Sequence, residues 1–329
     1  MAGLDSEAGS KRLEERAPAD KEMTRLLLAS LMAAALLCGC SFKRFAANKM
    51  GDALAGSGST FASDDDPELV RAAAPFSLKL VESLLAASPR HEGLLLAAAS
   101  GFTQFAYAFV QQDSEAAEET DLAAAEALRV RARRLYLRAR DYGLRGLEVR
   151  HRGWGATLRA DAPKAVRLAT AKDVPLLYWT GTAWAGAISE AKDNPDLIAD
   201  LPLVEAMMER ALALDERYGD GALHCFFIAY EMSRPAGSGD PAQRARSHFE
   251  RALVLSGGRL AAPWVALAED VCVQKQDLQG FRAALEKALA VDVDARPEWR
   301  LVNLVMQRRA KWLLGRADQL FLRGGNAAQ

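Results

Sequence analysis

The chain has 329 residues, half of them hydrophobic, and its 42 lysines and arginines nearly balance its 43 aspartates and glutamates. This length allows a sizeable buried core, and a formal net charge of -1 excludes an overall bias toward nucleic acid or an anionic surface. Alanine and leucine dominate, whereas alternating runs of valine, isoleucine and threonine are missing, so the composition predicts an all-α protein.

The amino terminus has the pattern of an export signal. Residues 1–22 are polar and carry both charges, so we interpret them as an upstream extension, with Met23 as an alternative start. The apolar run over 26–37 is too short to span a bilayer. Its end, Leu-Cys-Gly-Cys, resembles a bacterial lipobox, which predicts a signal peptide over 23–39 and acylation of Cys40. The alternative is a simple secretory signal with an incidental cysteine.

The segment that follows Cys40 is rich in small residues. Ser41 takes the place of the aspartate that would retain a Gram-negative lipoprotein at the inner membrane, so we expect a periplasmic protein held at the outer membrane. Residues 40–63 end in a Gly-Ser stretch, which we interpret as a tether. A phosphate-binding loop is the alternative, but the lysine and the glycine spacing that it requires are missing.

The first helical hairpin is marked by its caps. Three aspartates precede Pro67, and the last, Asp66, suits an N-cap better than a metal ligand because further oxygen ligands at loop spacing are missing. This helix should stop before Pro89, and a second helix should run over 92–112.

The next stretch is long, basic and then irregular. Residues 121–150 predict an alanine-rich helix with many arginines, which we interpret as a solvated or partner-facing surface and not as a nucleic-acid site. Residues 151–174 resemble an insertion, with a short helix around 163–171.

The stretch 176–188 predicts the central inner helix of the fold. Large rings at Tyr178, Trp179 and Trp184 alternate with glycines and alanines, so other helices can approach closely. Asp173 is a candidate cap, and the helix can continue as far as residue 191.

The carboxyl-terminal half repeats a closing pattern. Similar Ala-Leu-x-Leu or Ala-Leu-x-Val ends occur at 211–215, 252–256 and 288–292, separated by 41 and 36 residues, and each precedes a turn and another helix. Such periods fit tetratricopeptide-like helix pairs, so we predict one α-solenoid domain over 64–325 with a concave groove or bore.

Catalytic and metal-binding patterns are missing. The four histidines are scattered without ligand spacing, and no nucleophile triad or dinucleotide fingerprint occurs. A carboxylate pair defined only by its separation in space stays open. Cys225 and Cys272 could form a disulfide after export, but we favour free thiols. We therefore predict no enzyme, no catalytic residue, no metal and no cofactor.

Several blocks resemble the T-component family of TRAP transporters, the TatT lipoproteins. These blocks lie within a region from about residue 41 to 321, at 56–69, 75–79, 82–85, 88–89, 101–104, 107–112 and 174–203.

The resemblance implies a periplasmic, lipid-anchored homotrimer with cryptic tetratricopeptide-like repeats and a pore or cleft in each protomer. It also implies association with a substrate-binding P component. We therefore predict an accessory protein that docks this component and holds or passes a small, apolar ligand. The candidate cavity residues are Phe102, Phe105, Tyr178, Trp179 and Trp184, although each ring could instead be ordinary core. The alternative function is a scaffold lipoprotein for envelope assembly that binds no ligand.

Overall fold

The computed structural model describes residues 48–50, 58–191, 193–234 and 239–322. The chain divides into two compact units, Met1–Met50 and Gly51–Gln329, and the helices described below belong to the second unit. The predicted signal peptide, Cys40 and most of the predicted tether lie outside the described residues.

Throughout the described ranges the chain forms helices and turns and no strand, which confirms the predicted all-α class. The α-helices are α1 (Gly58–Ala62), α2 (Pro67–Ala87), α3 (Glu92–Ala117), α4 (Leu122–Arg150), α5 (Trp154–Ala160), α6 (Ala162–Arg167), α7 (Val174–Ser189), α8 (Pro195–Ile198), α9 (Leu201–Leu214), α10 (Ala222–Ser233), α11 (Pro241–Ser256), α12 (Ala262–Ala266, continued by a π-helical segment over Leu267–Cys272), α13 (Leu278–Leu289), α14 (Arg300–Gly315) and α15 (Ala317–Leu320).

Caps set the starts of the first long helices. The Asp66 carboxylate accepts hydrogen bonds from the backbone N–H groups of Glu68 and Leu69, at 3.0 Å each, and thereby begins α2. Asp121 caps α4 in the same way through the N–H of Ala124, at 2.9 Å. Both starts agree with the sequence, because a cap is a local interaction.

Helix α3 is longer than predicted. It passes through a π-helical turn at Ala106–Gln111 and ends at Ala117 instead of Gln112, because no proline or glycine interrupts it there. It is the one described helix with the length and apolar composition of a membrane span, and 61% of its most apolar window is buried within the protein.

The predicted cap of α7 is wrong. The Asp173 carboxylate instead accepts hydrogen bonds from the N–H and hydroxyl of Thr170, at 2.8 and 2.9 Å, and from Arg150 at 3.0 Å. Burial acts to raise the pKa of Asp173, but these donors outweigh it and hold the pKa below its usual value. Asp173 therefore joins the end of α4 to the start of α7, which closes at Ser189.

The stretch predicted as an insertion contains two short helices. Helix α6 ends at Arg167, earlier than the predicted helix, and α5 was not predicted.

Helix α7 is central, as its small residues indicated. It packs against α3, α4 and α9. A Cβ atom on Gly186 would lie 2.8 Å from the ring of Tyr136 on α4, and one on Gly181 would lie 2.5 Å from the Met208 sulfur on α9. Its neighbours therefore approach to a distance that larger residues would prevent.

The second half continues as packed helix pairs, and its end returns to the beginning. Helix α10 packs against α11, α12 against α13, and α13 against α14. Helix α14 also contacts α1 and α2, and Tyr107 on α3 packs against both hydrophobic core clusters. The last long helix thus closes against the first ones, while the tetratricopeptide-like class of the repeats remains a prediction.

Candidate functional site

The π-helical turn of α3 is where the two ends of the fold meet. Guanidinium groups from two other helices donate hydrogen bonds to backbone carbonyl oxygens of this turn. Arg308 on α14 donates to the carbonyl oxygen of Ala108. Arg71 on α2 donates to the carbonyl oxygen of Phe109 at 3.3 Å. Two cations from opposite ends of the domain therefore bind adjacent carbonyls of one turn.

A buried arginine extends this seam into the protein. Arg309 on α14, with a side chain 7% exposed, forms ion pairs with Glu115 on α3 and Glu269 on α12. Gln111 Nε2 donates to Glu115 Oε1 at 2.9 Å, and the Tyr136 hydroxyl on α4 donates to Gln111 Oε1 at 2.6 Å. We call these five residues the closing network, since they connect α4, α3, α14 and α12.

The closing network holds its charges in a poorly solvated region. Burial acts to lower the pKa of Arg309, but Glu269 and Glu115 outweigh it and hold this pKa above its usual value. Burial, with a further contribution from Glu269, raises the pKa of the adjacent Asp270 to about 8. At neutral pH the closing network therefore lies beside a mostly protonated carboxyl group, that of Asp270.

Three of the five predicted cavity residues lie in contacts between helices. Phe102 is 3% exposed, and its ring stacks on Tyr142 with centroids 6.1 Å apart. Phe105 is 8% exposed. Trp184 is 1% exposed, and the Arg140 guanidinium lies 5.0 Å from the centre of its ring. These positions are the ones expected of core residues.

The other two predicted residues form a half-buried aromatic group. Tyr178 and Trp179 pack edge to face at 4.9 Å, and Tyr218 lies 5.3 Å from Tyr178. Burial raises the pKa of the nearby Cys225 thiol to about 12, which leaves it protonated and unreactive. In the described part of the chain no ring pair joins this group to the rings of α3, so the structure does not bring the five residues into one contact group.

Two histidines that lie on different helices are in contact, although their spacing in the sequence did not indicate it. The Nδ1 atoms of His224 on α10 and His248 on α11 are 2.9 Å apart, and the His248 ring stacks on Phe227 at 5.0 Å. Burial lowers both pKa values, with the His248 pKa at about 4, so both rings are neutral at pH 7. Within the described ranges no group of three or more histidine, cysteine or acidic side chains is arranged to hold a metal ion.

Two surface cavities lie in the carboxyl-terminal half. One, of about 260 Å³, opens between the start of α12 and the end of α13, and Arg259, Trp264 and Lys287 contribute to its walls. The other, of about 510 Å³, follows α13 along Leu278 and Arg282. Neither is lined by a predicted cavity residue. The sequence offered no signal for the first, because its walls come from two separate stretches of the chain, 258–264 and 287–295.

Comparison with known proteins gives a family and a relative. The model of the family described as "TRAP transporter T-component" matches residues 63–321. An "Uncharacterized protein" of Treponema pallidum (strain Nichols) is 29% identical over 309 residues, which cover 88% of this chain and 96% of that protein. The family match covers the helices from α2 to α15.

Proposed function

The chain belongs to the TRAP transporter T-component family, and from this membership we propose that it is the lipid-anchored accessory component of such a transport system. This is a family of transport accessory proteins associated with the cell envelope and not a known enzyme family. We propose further that the protein docks the substrate-binding P component and holds or passes a small, apolar ligand. The observation that carries the proposal is the family match, because it spans nearly the whole helical domain.

The proposed location rests on the amino-terminal pattern. Cleavage before Cys40 and acylation of its thiol would leave the helical domain attached to the outer membrane by its amino terminus. More than one acyl chain is needed for stable attachment, since each buried methylene contributes about 0.8 kcal/mol. Assembly as a homotrimer is part of the same proposal.

Tyr178 and Trp179 are the best candidates for contact with an apolar ligand. Both are half-buried, so their rings retain surface that a ligand could cover, whereas Phe102, Phe105 and Trp184 are already covered by neighbouring helices. That burial favours the second candidate function, a scaffold lipoprotein that assists envelope assembly and binds no ligand.

One experiment separates the two functions. The full chain, expressed in a Gram-negative host, would be isolated after cross-linking, its protein partners identified, and its extracted small molecules analysed by mass spectrometry. Recovery of a TRAP P component supports the transport role, and an apolar compound that is lost in Trp179→Ala supports ligand binding. Phe76→Ala is the matched control for that variant, because Phe76 is an aromatic residue 74% exposed on the distant helix α2. Recovery of neither partner nor compound would favour the scaffold.

Anchoring is tested independently of partners and ligands. The wild-type chain should incorporate radiolabelled palmitate and partition into the detergent phase, whereas Cys40→Ala should do neither. Equal labelling of the two chains would refute acylation at Cys40.

A further inference from the structure

The cavity of about 260 Å³ is a cleft at one end of the last helix pairs. One wall is the loop between α11 and α12, which carries Arg259, together with Trp264 of α12. The facing wall is the end of α13 and the following turn, with Lys287 and Val291. Arg259 and Lys287 are exposed, so the cleft is open to solvent.

Both walls are fixed by amide side chains of α14. Asn303, 1% exposed, accepts a hydrogen bond from the Ala261 N–H at 2.9 Å and donates to the Arg259 carbonyl oxygen at 3.0 Å. One helical turn later, Gln307 Nε2 donates to the Val291 carbonyl oxygen at 2.8 Å. The cleft is therefore preformed, and a ligand would not have to order its walls.

The Trp264 side chain of the first wall is also held in place. The Trp264 ring packs edge to face against Phe249, with centroids 4.9 Å apart, and is itself only partly buried. A partly exposed indole offers an apolar face that can cover a ligand side chain.

The two cations of the cleft have no partner of their own. Neither Arg259 nor Lys287 forms an ion pair or a side-chain hydrogen bond with any residue that the structure describes. Lys287 lies near the carboxyl end of α13, where the negative end of the helix dipole favours a cation. Gln307, however, already donates to the Ala288 and Leu289 carbonyl oxygens at that end, at 3.2 Å each. Asp292 also lines the cleft, but its Oδ1 atom accepts the Asp294 N–H at 2.9 Å, so its carboxylate is partly satisfied by its own turn.

We propose that this cleft binds a short acidic segment of a protein partner. A carboxylate of the segment lies between Arg259 and Lys287, where the guanidinium can bind it through two N–H groups, and an adjacent apolar side chain covers Trp264. The volume is below the roughly 300–1,000 Å³ of pockets that enclose a small molecule, so the cleft admits one or two side chains of a longer chain. The inference goes beyond the proposed function, because it requires neither a transported ligand nor a TRAP component.

The test uses the full chain in detergent and two synthetic hexapeptides. One carries two glutamates that flank a phenylalanine, and its twin carries glutamines instead. Binding is followed by fluorescence anisotropy of labelled peptide, and contact by the ¹⁹F signals of 5-fluorotryptophan, with the Trp264 signal assigned from Trp264→Phe among the six tryptophans. The acidic peptide should bind and shift the Trp264 signal, whereas its twin should do neither.

Charge variants show whether the acidic peptide binds through the two cations of the cleft. Arg259→Gln and Lys287→Gln should each weaken binding of the acidic peptide about two- to fivefold, the range of a partly exposed ion pair, and the double variant about tenfold. Arg282→Gln is the matched control, since it removes an exposed cation from the same helix outside the cleft and should change nothing.

Three results would overturn the inference. Equal binding of the glutamine peptide would remove the role of charge, and equal weakening by Arg282→Gln would indicate a general electrostatic attraction. A shift of the Trp264 signal by acetate alone, as large as that caused by the peptide, would mean that the cleft takes free carboxylates instead of a protein segment.

Discussion

Replacing Arg309 by methionine should strongly destabilise the domain. The substitution retains much of the apolar length of the side chain but removes the charge that holds Glu115 and Glu269 together. Glu115 has a side chain 21% exposed and Glu269 one 32% exposed, so both carboxylates would remain poorly solvated without a cation. The contact of the guanidinium with Trp312, 4.2 Å from the ring centre, is lost as well.

The burial of these ion pairs sets the size of the expected loss of stability. Removing one partner of a buried ion pair costs about 3–5 kcal/mol, and the partial exposure of the two glutamates places this site near about 3 kcal/mol. Arg316→Met is the matched control, because Arg316 directly follows α14, contacts the same Trp312 ring at 4.6 Å and pairs with the more exposed Glu119 at 3.0 Å. An exposed pair of this kind contributes at most about 1 kcal/mol.

Urea unfolding at pH 7, followed by circular dichroism, measures both free energies of unfolding. Adding Glu269→Gln to Arg309→Met should restore part of the loss, because one uncompensated carboxylate is then removed. If Arg309→Met costs no more than Arg316→Met, or if the double variant recovers nothing, the closing network does not hold α14 in place as described here.

Three further substitutions test other parts of the structure. The His248 pKa is lowered to about 4 beside His224, so the domain should lose about 1–2 kcal/mol of stability as the pH falls from about 6.5 to 4. His248→Gln should reduce this loss in urea titrations. The same pH dependence in the variant and the wild type would contradict the prediction. Burial raises the pKa of Asp270 from 3.8 to about 8, so the folded state loses stability as the pH rises from about 4 to about 8, and the gain in urea resistance of Asp270→Asn over wild type should grow across this window and level off above it; a gain that stays constant would contradict it. Gly143→Ala should lower the unfolding free energy by about 1–3 kcal/mol, because its Cβ would meet a hydroxyl of α7. Gly155→Ala is the control: its Cβ has open space, so this variant should raise or preserve the unfolding free energy. Equal effects would refute the close α4–α7 contact.

Local chemistry explains which parts of the fold the sequence predicts. The starts of α2 and α4 follow from Asp66 and Asp121, whose caps involve residues two or three positions away. The central position of α7 follows from its glycines, since a close helix contact needs small residues wherever it occurs. Each of these features is specified within one turn or one helix.

Features that depend on distant residues escape sequence analysis. Asp173 resembles a cap in the sequence, yet its carboxylate is taken by Arg150, 23 residues earlier. The histidine pair joins positions 24 residues apart, and nothing in their spacing indicates that the two rings meet. The candidate cavity residues show the same limit, because an aromatic ring in an apolar helix predicts burial but not whether protein or ligand covers it.

The π-helical turn of α3 is also held by residues that are distant in the sequence. Arg308 donates to the carbonyl oxygen of Ala108, 200 residues earlier, and Arg71 donates to that of Phe109. Hydrogen bonds from a charged donor are stronger than those between neutral groups, so these two contacts help to hold α2 and α14 against α3. The Tyr107 hydroxyl of the same turn lies 3.7 Å from the Met306 sulfur of α14, and Tyr107 packs against both core clusters, so α14 meets α3 at the point where the two clusters join.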